Sequence, residues 1–312
     1  MNIPTMEQLC LLCGIASSST ICKTLDFCYK TCGNDFSYVK CNGCGHVYLK
    51  NRPRTEVLDV IYPATYLTYD YGQHLGGIIN GIRNRIQKLK LRPVYKYACH
   101  GDLIVDIGCG GGDFLALAKL FGDPSWQLFG IDFSDGAIDR LRNRGLSGIK
   151  GRFEDLEWNE SPVGVIIMNQ LIEHVEDPLA ATRKAFEVLR PGGVLIIETP
   201  NINSWDARLF QKRYWGGWHA PRHWNLFDSE TLSQCVKRAG FDIVEVSYIL
   251  SPFSWLHSVQ YCLREYFGLQ RFARWFDVDH FIPLCIASTL DLIQLSFTGR
   301  TANMRLIAKK SD

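Results

Sequence analysis

The ordered alternation of apolar strands and capped helices between Asp102 and Lys310 constrains the fold more than any other feature of this chain. "LIVDIG", "LFGIDF", "VGVIIMN", "VLIIETP", "FDIVEVSYI" and "NMRLIAKK" are short runs of β type. "DFLALAKLF", "SDGAIDRLRNRG", "DPLAATRKAFEVLRPGG" and "DSETLSQCVKRAG" read as helices between them. Ser134, Asp177 and Asp228 stand where N-caps belong, Pro178 suits a first helical position, and Gly145, Gly192, Gly193 and Gly240 suit stops. Such a rhythm predicts a Rossmann-like, doubly wound sheet of mostly parallel strands.

The first strand runs into "VDIGCGGGDF", with glycine at 108, 110, 111 and 112. A dinucleotide fold wants G-x-G-x-x-G/A, and Asp113 occupies the last glycine position of that pattern. An acid there would oppose a pyrophosphate at a helix N-terminus. The pattern D-x-G-x-G-x-G is met by Asp106, Gly108, Gly110 and Gly112. It suits a ligand with a cationic amino group and no phosphate. Asp132 lies 20 residues beyond Gly112, at the end of the next strand, where an acid can accept both ribose hydroxyls.

The cysteines are concentrated at the N-terminus: seven of twelve precede residue 45. "CLLC" (Cys10, Cys13) and "CNGC" (Cys41, Cys44) are matched pairs separated by 27 residues. Two such turns can close a four-thiolate site of the kind that holds structural zinc. Buried or redox-active thiols are the alternative. Cys28 and Cys32 have no matching pair and are left out. "MNIPTMEQLC" has no basic region before an apolar one, so no signal peptide is expected and a cytoplasmic location is the default. Phe281 to Phe297 is apolar but interrupted by Pro283 and Asp291, which argues against a membrane span. The formal net charge of +2 argues against a dedicated nucleic-acid binder. The connector holds Tyr62, Tyr66, Tyr69 and Tyr71. Its isoleucine spacing predicts a helix over 76–91 with a basic face (Arg83, Arg85, Lys88, Lys90, Arg92), ended by Pro93.

"VDIGCGGGDF", "GIDFSDGAI", "GRFEDL", "IEHVEDPLAATRKAFEVLRPGGVLIIETPN" and "PRHWNLFDSETLSQCVKRAGF" together resemble a class I S-adenosylmethionine-dependent methyltransferase, in the branch that often carries an N-terminal four-cysteine zinc ribbon. The resemblance implies a seven-stranded sheet with its last strand antiparallel. It also implies a small zinc ribbon (1–55), a connector (56–100), a methyltransferase core (101–250) and a helical cap (251–302) inserted before the last strand (303–312). It implies S-adenosylmethionine (AdoMet) held by Asp106, Gly108, Cys109, Gly110, Gly112, Asp132 and Phe133, with Glu154 and Asp155 near the adenine and Asn169 at the fourth strand's end. Val163-Gly164 departs from the Phe-Asp usual before that strand; the missing acid is generally structural.

For the chemistry, Glu173 and His174 follow the fourth strand at the carboxyl edge of the sheet, where ligands bind. A neutral histidine near pH 7 is a suitable base. "WGGWHAPRHWNLF" brings His219, Arg222 and His223 to the same rim among three tryptophans, either as part of a pocket for an anionic or flat acceptor or as a lid tied to the sheet. In the cap, Arg271 and Arg274 flank Phe272, Trp275 and Phe276, as in an interfacial helix. The expectation is methyl transfer to a small-molecule, glycan or lipid-linked acceptor, with peripheral membrane contact or a homodimer as uses of the cap. Two alternatives are an RNA methyltransferase using the ribbon and the basic helix, and a non-catalytic AdoMet-binding module.

Overall fold

The computed structural model describes residues 1–63, 88–158 and 161–311. Arg83, Arg85, Tyr66, Tyr69, Tyr71 and most of the helix expected over 76–91 lie outside the described residues. Pro93, expected to end that helix, instead sits in the first turn of the helix Arg92–Tyr97, where a residue without an N–H costs no hydrogen bond.

The main sheet has seven strands: β6 (Leu103–Ile107), β7 (Gln127–Asp132), β8 (Ser147–Lys150), β9 (Val163–Asn169), β10 (Leu189–Pro200), β12 (Asp242–Ile249) and β13 (Asn303–Lys309). Their order is β12-β13-β10-β9-β6-β7-β8. β13 is antiparallel to both β10 and β12, and the other described pairings are parallel. The central strands are largely apolar because helices cover both faces; every residue of β6 is buried, Asp106 included. All strands but β13 therefore present their carboxyl ends to one edge, which fixes where a ligand can sit.

Local sequence explains the elements. Asp177 caps Pro178–Val188 through the N–H groups of Leu179 and Ala180. Asp228 and Thr231 form a capping box on Ser229–Arg238. Ser134 holds the N-cap position of Asp135–Asn143, but its side chain makes no cap bond. The helix before β10 stops at Val188, short of the expected Gly192 and Gly193. Pro191 disfavours helical backbone at Arg190, and Leu189 pairs with Val163 instead. The Val163-Gly164 departure also has a local reason. A Cβ on Gly164 would lie 2.2 Å from the Asp102 carboxyl carbon, and Asp102 is held there by Arg190 at 2.8 and 3.0 Å.

In the N-terminal module β1 (Thr5–Glu7) pairs with β5 (Asn51–Pro53), and β2 (Ser18–Thr24), β3 (Phe36–Cys41) and β4 (Val47–Leu49) form a sheet that β11 (Asn225–Leu226) of the core joins as a fourth strand. Cys10, Leu12, Val39, Cys41 and Tyr48 share one hydrophobic cluster with the sheet and with Phe227. Between β12 and β13 lies the cap. It contains the helix Pro252–Tyr261, continued by a wide turn over Cys262–Tyr266, a short turn of helix at Gln270–Ala273, and the helix Phe281–Thr298. That last helix is continuous despite Pro283 and Asp291. Proline is tolerated in a first turn, and Asp291 is fully buried against the body of the protein.

The deepest charged pair joins module and core. Arg222 Nη1 and Nη2 meet the two carboxyl oxygens of Asp26 at 3.1 and 3.2 Å, and neither side chain is exposed. Burial alone would raise the Asp26 carboxyl; the hydrogen bonds and charge of Arg222, together with the bonds from Thr31, outweigh that and hold it below the ordinary value. Removing one partner of such a pair leaves a stranded charge and costs about 3–5 kcal/mol. Asp26→Ala should therefore lower the unfolding free energy on that scale in urea denaturation. A loss below about 1 kcal/mol, the range of an exposed pair, would show that the pair does not hold the module to the core.

Candidate functional site

The carboxyl edge of the sheet gathers three acids. Asp106 closes on that edge from β6; it is 3% exposed, and Oδ1 has no hydrogen-bond partner among the described residues. Burial, together with the charges of Asp132 and Asp113, pushes its pKa up to about 8. The following loop alternates through left-handed backbone at Gly108, Gly110 and Gly112 (φ 72°, 53° and 78°), a conformation that side chains with a Cβ resist. The N–H groups of Gly108 and Cys109 donate to the Ile131 carbonyl at 2.8 and 3.1 Å. Gly110 N–H donates to Asp132 Oδ2, and Ser134 N–H to Oδ1, both at 2.9 Å. Asp132 is thus fixed at the end of β7 by backbone donors while each oxygen keeps a second lone pair for a ligand.

A second group stands beside it. The chain bends after β9 at Gln170 (φ 50°), whose N–H donates to the Glu198 carbonyl at 2.8 Å. Glu173 is fully buried; Oε2 accepts from Thr199 Oγ1 at 2.9 Å, and Oε1 has no partner among the described residues. Burial lifts its pKa to about 8. Donor atoms of Glu173, His174 and His223 lie within 4.8 Å of one another, an arrangement that could also hold a metal ion. The His174 and His223 rings meet edge to face at 4.6 Å, and His219 lies 4.9 Å from His223.

His174, read from the sequence as a neutral base, is kept in that form by its surroundings. Burial, then the neighbouring His223, hold its pKa well below the ordinary value, against the hydrogen bond to the Arg222 carbonyl. Burial likewise lowers His219, and lowers His223 to about 4. The imidazoles are neutral at pH 7, and at this edge the groups raised toward neutrality are Asp106 and Glu173. His174 Nδ1 lies 3.1 Å from the Arg222 carbonyl and 3.0 Å from Tyr62 Oη. With Nδ1–H donated to that carbonyl, Nε2 carries the free lone pair.

The loop 215–224 is a tie rather than an open pocket. Trp215, Trp218, Trp224 and Arg222 are buried. Tyr38 Oη sits 2.6 and 2.7 Å from the carbonyls of Trp218 and His223. Trp224 and Asn225 donate their N–H groups to the Glu173 carbonyl at 2.7 and 3.0 Å. Gly216 N–H donates to Ser258 Oγ of the cap at 2.8 Å. Ribbon, core and cap therefore all set the position of the histidines.

Other predicted residues lie as follows. Phe133 is 45% exposed and touches Tyr62, with ring centroids 5.6 Å apart. Cys109 turns its thiol into a cluster with Leu115, Ile138 and Leu141, so its side chain packs instead of facing the edge. Glu154 is partly buried and Asp155 exposed on the turn after β8. Asn169 ends β9 beside Phe114, Ile196 and Glu198. Sequence reasoning missed Tyr62 and Thr199 as members of the site. Tyr62 had one signal, the tyrosine-rich connector, and Thr199 had none.

In the N-terminal module, Cys10 Sγ is 3.5 Å from Cys44 Sγ, and Cys13 Sγ is 3.4 Å from Cys41 Sγ. All four lie within 4.8 Å of one another. Those distances exceed a disulfide and approach the ~3.8 Å spacing of sulfurs at tetrahedral corners ~2.3 Å from a zinc ion. Gly14 and Gly45 (φ 74° and 77°) follow each pair and close its turn through N–H bonds to Cys10 and Cys41. The donor set fits a closed four-thiolate site.

A family model described as a methyltransferase domain matches residues 85–246, about half of the chain. A probable S-adenosylmethionine-dependent methyltransferase of Mycolicibacterium smegmatis is 27% identical over 153 residues, covering 47% of this chain and 54% of that protein. The ubiquinone biosynthesis O-methyltransferase of Ruegeria pomeroyi is 26% identical over 168 residues, covering 50% and 66%. The chain spans about half the length of the curated relatives it matches. Among solved structures, a SAM-dependent methyltransferase of Thermotoga maritima, described as a possible histamine N-methyltransferase, is similar at 20% identity. That match has a TM-score of 0.48 and covers 75% of this chain and 97% of that one.

The raised Asp106 pKa has a sign that can be measured. The folded protein holds this proton up to about pH 8, whereas an unfolded aspartate releases it near pH 3.9. The group is stabilising below the unfolded value, and its contribution is lost as pH rises toward 8, by at most about 1.4 kcal/mol per pH unit. Denaturation of ligand-free wild type and Asp106→Asn at several pH values should show the variant gaining relative stability from pH 4 to 8. A pH-independent difference would contradict the buried, unpaired carboxyl.

Proposed function

The chain belongs to the methyltransferase domain family, and from that premise we propose that it transfers a methyl group from AdoMet to a small-molecule, glycan or lipid-linked acceptor. The observation that carries this reading is Asp106: a buried carboxyl with one oxygen unpartnered among the described residues, beside left-handed glycines and within the electrostatic reach of Asp132. It needs a cationic donor, which the ammonium of AdoMet offers, and Asp132 has lone pairs for the ribose hydroxyls. Phe133 and Glu154 border the adenine in this reading. Bound there, AdoMet supplies a sulfonium whose methyl group is the one transferred, leaving S-adenosylhomocysteine.

The protein's own task is to place the acceptor and take its proton. Glu173, with one oxygen unpartnered among the described residues and a pKa of about 8, is the base suited to neutral pH, and His174 and Tyr62 orient the acceptor hydroxyl. The names of the ubiquinone O-methyltransferases among the relatives support an oxygen acceptor. Cys10, Cys13, Cys41 and Cys44 hold one structural zinc, since four thiolates leave no coordination position for substrate.

Two measurements test this. Metal analysis of protein purified without chelator should give about one zinc per chain. Cys41→Ser with Cys44→Ser should abolish it, and unchanged metal content would refute the assignment.

In calorimetry, Asp132→Ala should weaken AdoMet by roughly 1.5–3 kcal/mol, while Glu173→Gln and His174→Ala keep the affinity. Turnover in Glu173→Gln should fall by roughly 10²–10⁴. The wild-type rate should rise with pH toward 8, a limb that Glu173→Gln loses and His174→Ala keeps. If instead the limb lies near pH 6.5 and vanishes in His174→Ala, the base is His174.

A further inference from the structure

The helix Phe281–Thr298 is turned inside out relative to a helix on a water-soluble surface. Its buried residues are Pro283, Ala287, Asp291 and Gln294. Asp291 Oδ2 accepts the Ser251 N–H at 2.6 Å, while Asp291 Oδ1 and both amide atoms of Gln294 have no partner among the described residues. The opposite half carries Phe281, Ile282, Ile286, Leu290, Ile293 and Phe297, all exposed, with the two phenylalanines 77% and 78% exposed. At 100° per residue the exposed positions sweep about half the circumference, and no charged residue falls among them. An ordinary surface helix shows the reverse polarity.

The segment before it continues the apolar surface and supplies charge. Phe272 and Trp275 are exposed and stack at 6.1 Å. Arg271 and Arg274 flank them, also exposed, and neither has a carboxylate partner among the described residues. Asp277 and Asp279 follow and are exposed too, so the cationic character is modest. Aromatic rings beside arginines, next to an uncharged apolar half-cylinder, match the boundary between acyl chains and headgroups.

The helix is long and apolar enough to cross a membrane by length and composition, but its surroundings argue for lying flat. Eighteen residues span about 27 Å against a hydrocarbon core of ~30 Å. Crossing would also strip Asp291 from Ser251 and carry a carboxylate into hydrocarbon. Both ends of the cap are anchored in neighbouring strands of one sheet, at Ile249 and Asn303. From these observations we propose that the cap docks the protein on an anionic lipid bilayer, with the outer half of Phe281–Thr298 seated among the acyl chains and Arg271 and Arg274 at the headgroups. The cap leaves β12 at the edge that holds Asp106 and Glu173, so docking brings that edge toward the lipid surface. Choosing a lipid-linked acceptor rests on the methyl-transfer reading; docking itself does not.

The experiment is flotation of the full chain with vesicles of phosphatidylcholine alone or with 30% phosphatidylglycerol, alongside sedimentation velocity without lipid. Wild type should float with both, several-fold more with the anionic vesicles, and added salt should remove only that excess. Ile286→Asp with Ile293→Asp alters two exposed residues and should reduce flotation by roughly tenfold or more. Arg271→Glu with Arg274→Glu should remove the preference for anionic vesicles. AdoMet affinity and the thermal midpoint, unchanged in both variants, show that the fold is intact and keep this result separate from the methyl-transfer reading. No flotation with either vesicle overturns the proposal, as does flotation indifferent to the aspartates. A dimer that Ile286→Asp dissociates, without vesicle binding, also overturns it by assigning the face to a second copy of the chain.

Discussion

The buried pair of Arg222 and Asp26 is the constraint from which the shape of the candidate site follows. A guanidinium and a carboxylate removed from water are tolerable only when nearly every donor and lone pair is used. Here the fork geometry is matched. Besides the two bonds to Asp26, Arg222 Nε donates to the Ile61 carbonyl at 2.7 Å, and its guanidinium carbon lies 4.4 Å from the Tyr29 ring centre. Asp26 takes further bonds from the N–H groups of Tyr29 and Thr31 and from the Thr31 hydroxyl. A lysine could not make this planar, two-pronged set. Because Arg222 sits between His219 and His223 in the chain, the same pair fixes the loop carrying both imidazoles. The cysteine-bearing module is thus part of the site's support.

Electrostatics gives the edge its character. Asp106, Asp132 and Glu173 are three acids in desolvated surroundings, and burial raises all three. The three histidines beside them are pushed the other way and stay neutral. Asp106 and Glu173 hold their protons to about pH 8 and the imidazoles are neutral, so the edge carries little charge until a cationic ligand favours the ionised carboxylate of Asp106. Each unpartnered oxygen costs free energy that a positively charged ligand would recover. The same logic disfavours a pyrophosphate at the glycine loop, where Asp113 already stands in the first turn of its helix.

Much of this was legible in the sequence wherever the cause is local. Strand–helix alternation, the caps at Asp177 and Asp228, the glycine loop and the paired cysteines depend on neighbours within a few residues, and each is found where expected. Asp106, Asp132, Glu173 and His174 were legible because a strand's carboxyl end is itself a location in this fold. What was missed depends on partners far along the chain: Tyr62 reaches His174 across 112 residues, and Arg222 reaches Asp26 across 196. The tryptophans of the 215–224 loop read equally well as pocket or tie, and only their burial decides. Phe281–Phe297 read as broken because Pro283 and Asp291 were counted as interruptions. In three dimensions one lies in a first turn and the other faces inward. How far the surroundings depress His174 was not legible for a related reason: composition gives a residue its ordinary pKa, and burial is a tertiary property.

His219 shows how the parts act together. It is not glycine, yet it holds left-handed backbone at φ 38°, a conformation that persists in such a residue only when the surroundings over-determine it. The surroundings do so from three sides. From the ribbon, Tyr38 Oη reaches the carbonyls flanking the segment, at Trp218 and His223. From the core, the Glu173 carbonyl takes the N–H groups of Trp224 and Asn225. From the cap, Ser258 takes the N–H of Gly216. A Cβ on Gly216 would lie 2.7 Å from His257 Cβ, so cap and loop are already in the closest contact that a glycine permits. A loop held from three modules cannot shift toward any one of them without breaking bonds to another. Imidazoles that would be mobile on an ordinary connection are therefore held in place beside Glu173. The rigidity of the site comes from joining ribbon, core and cap through ten residues of irregular backbone.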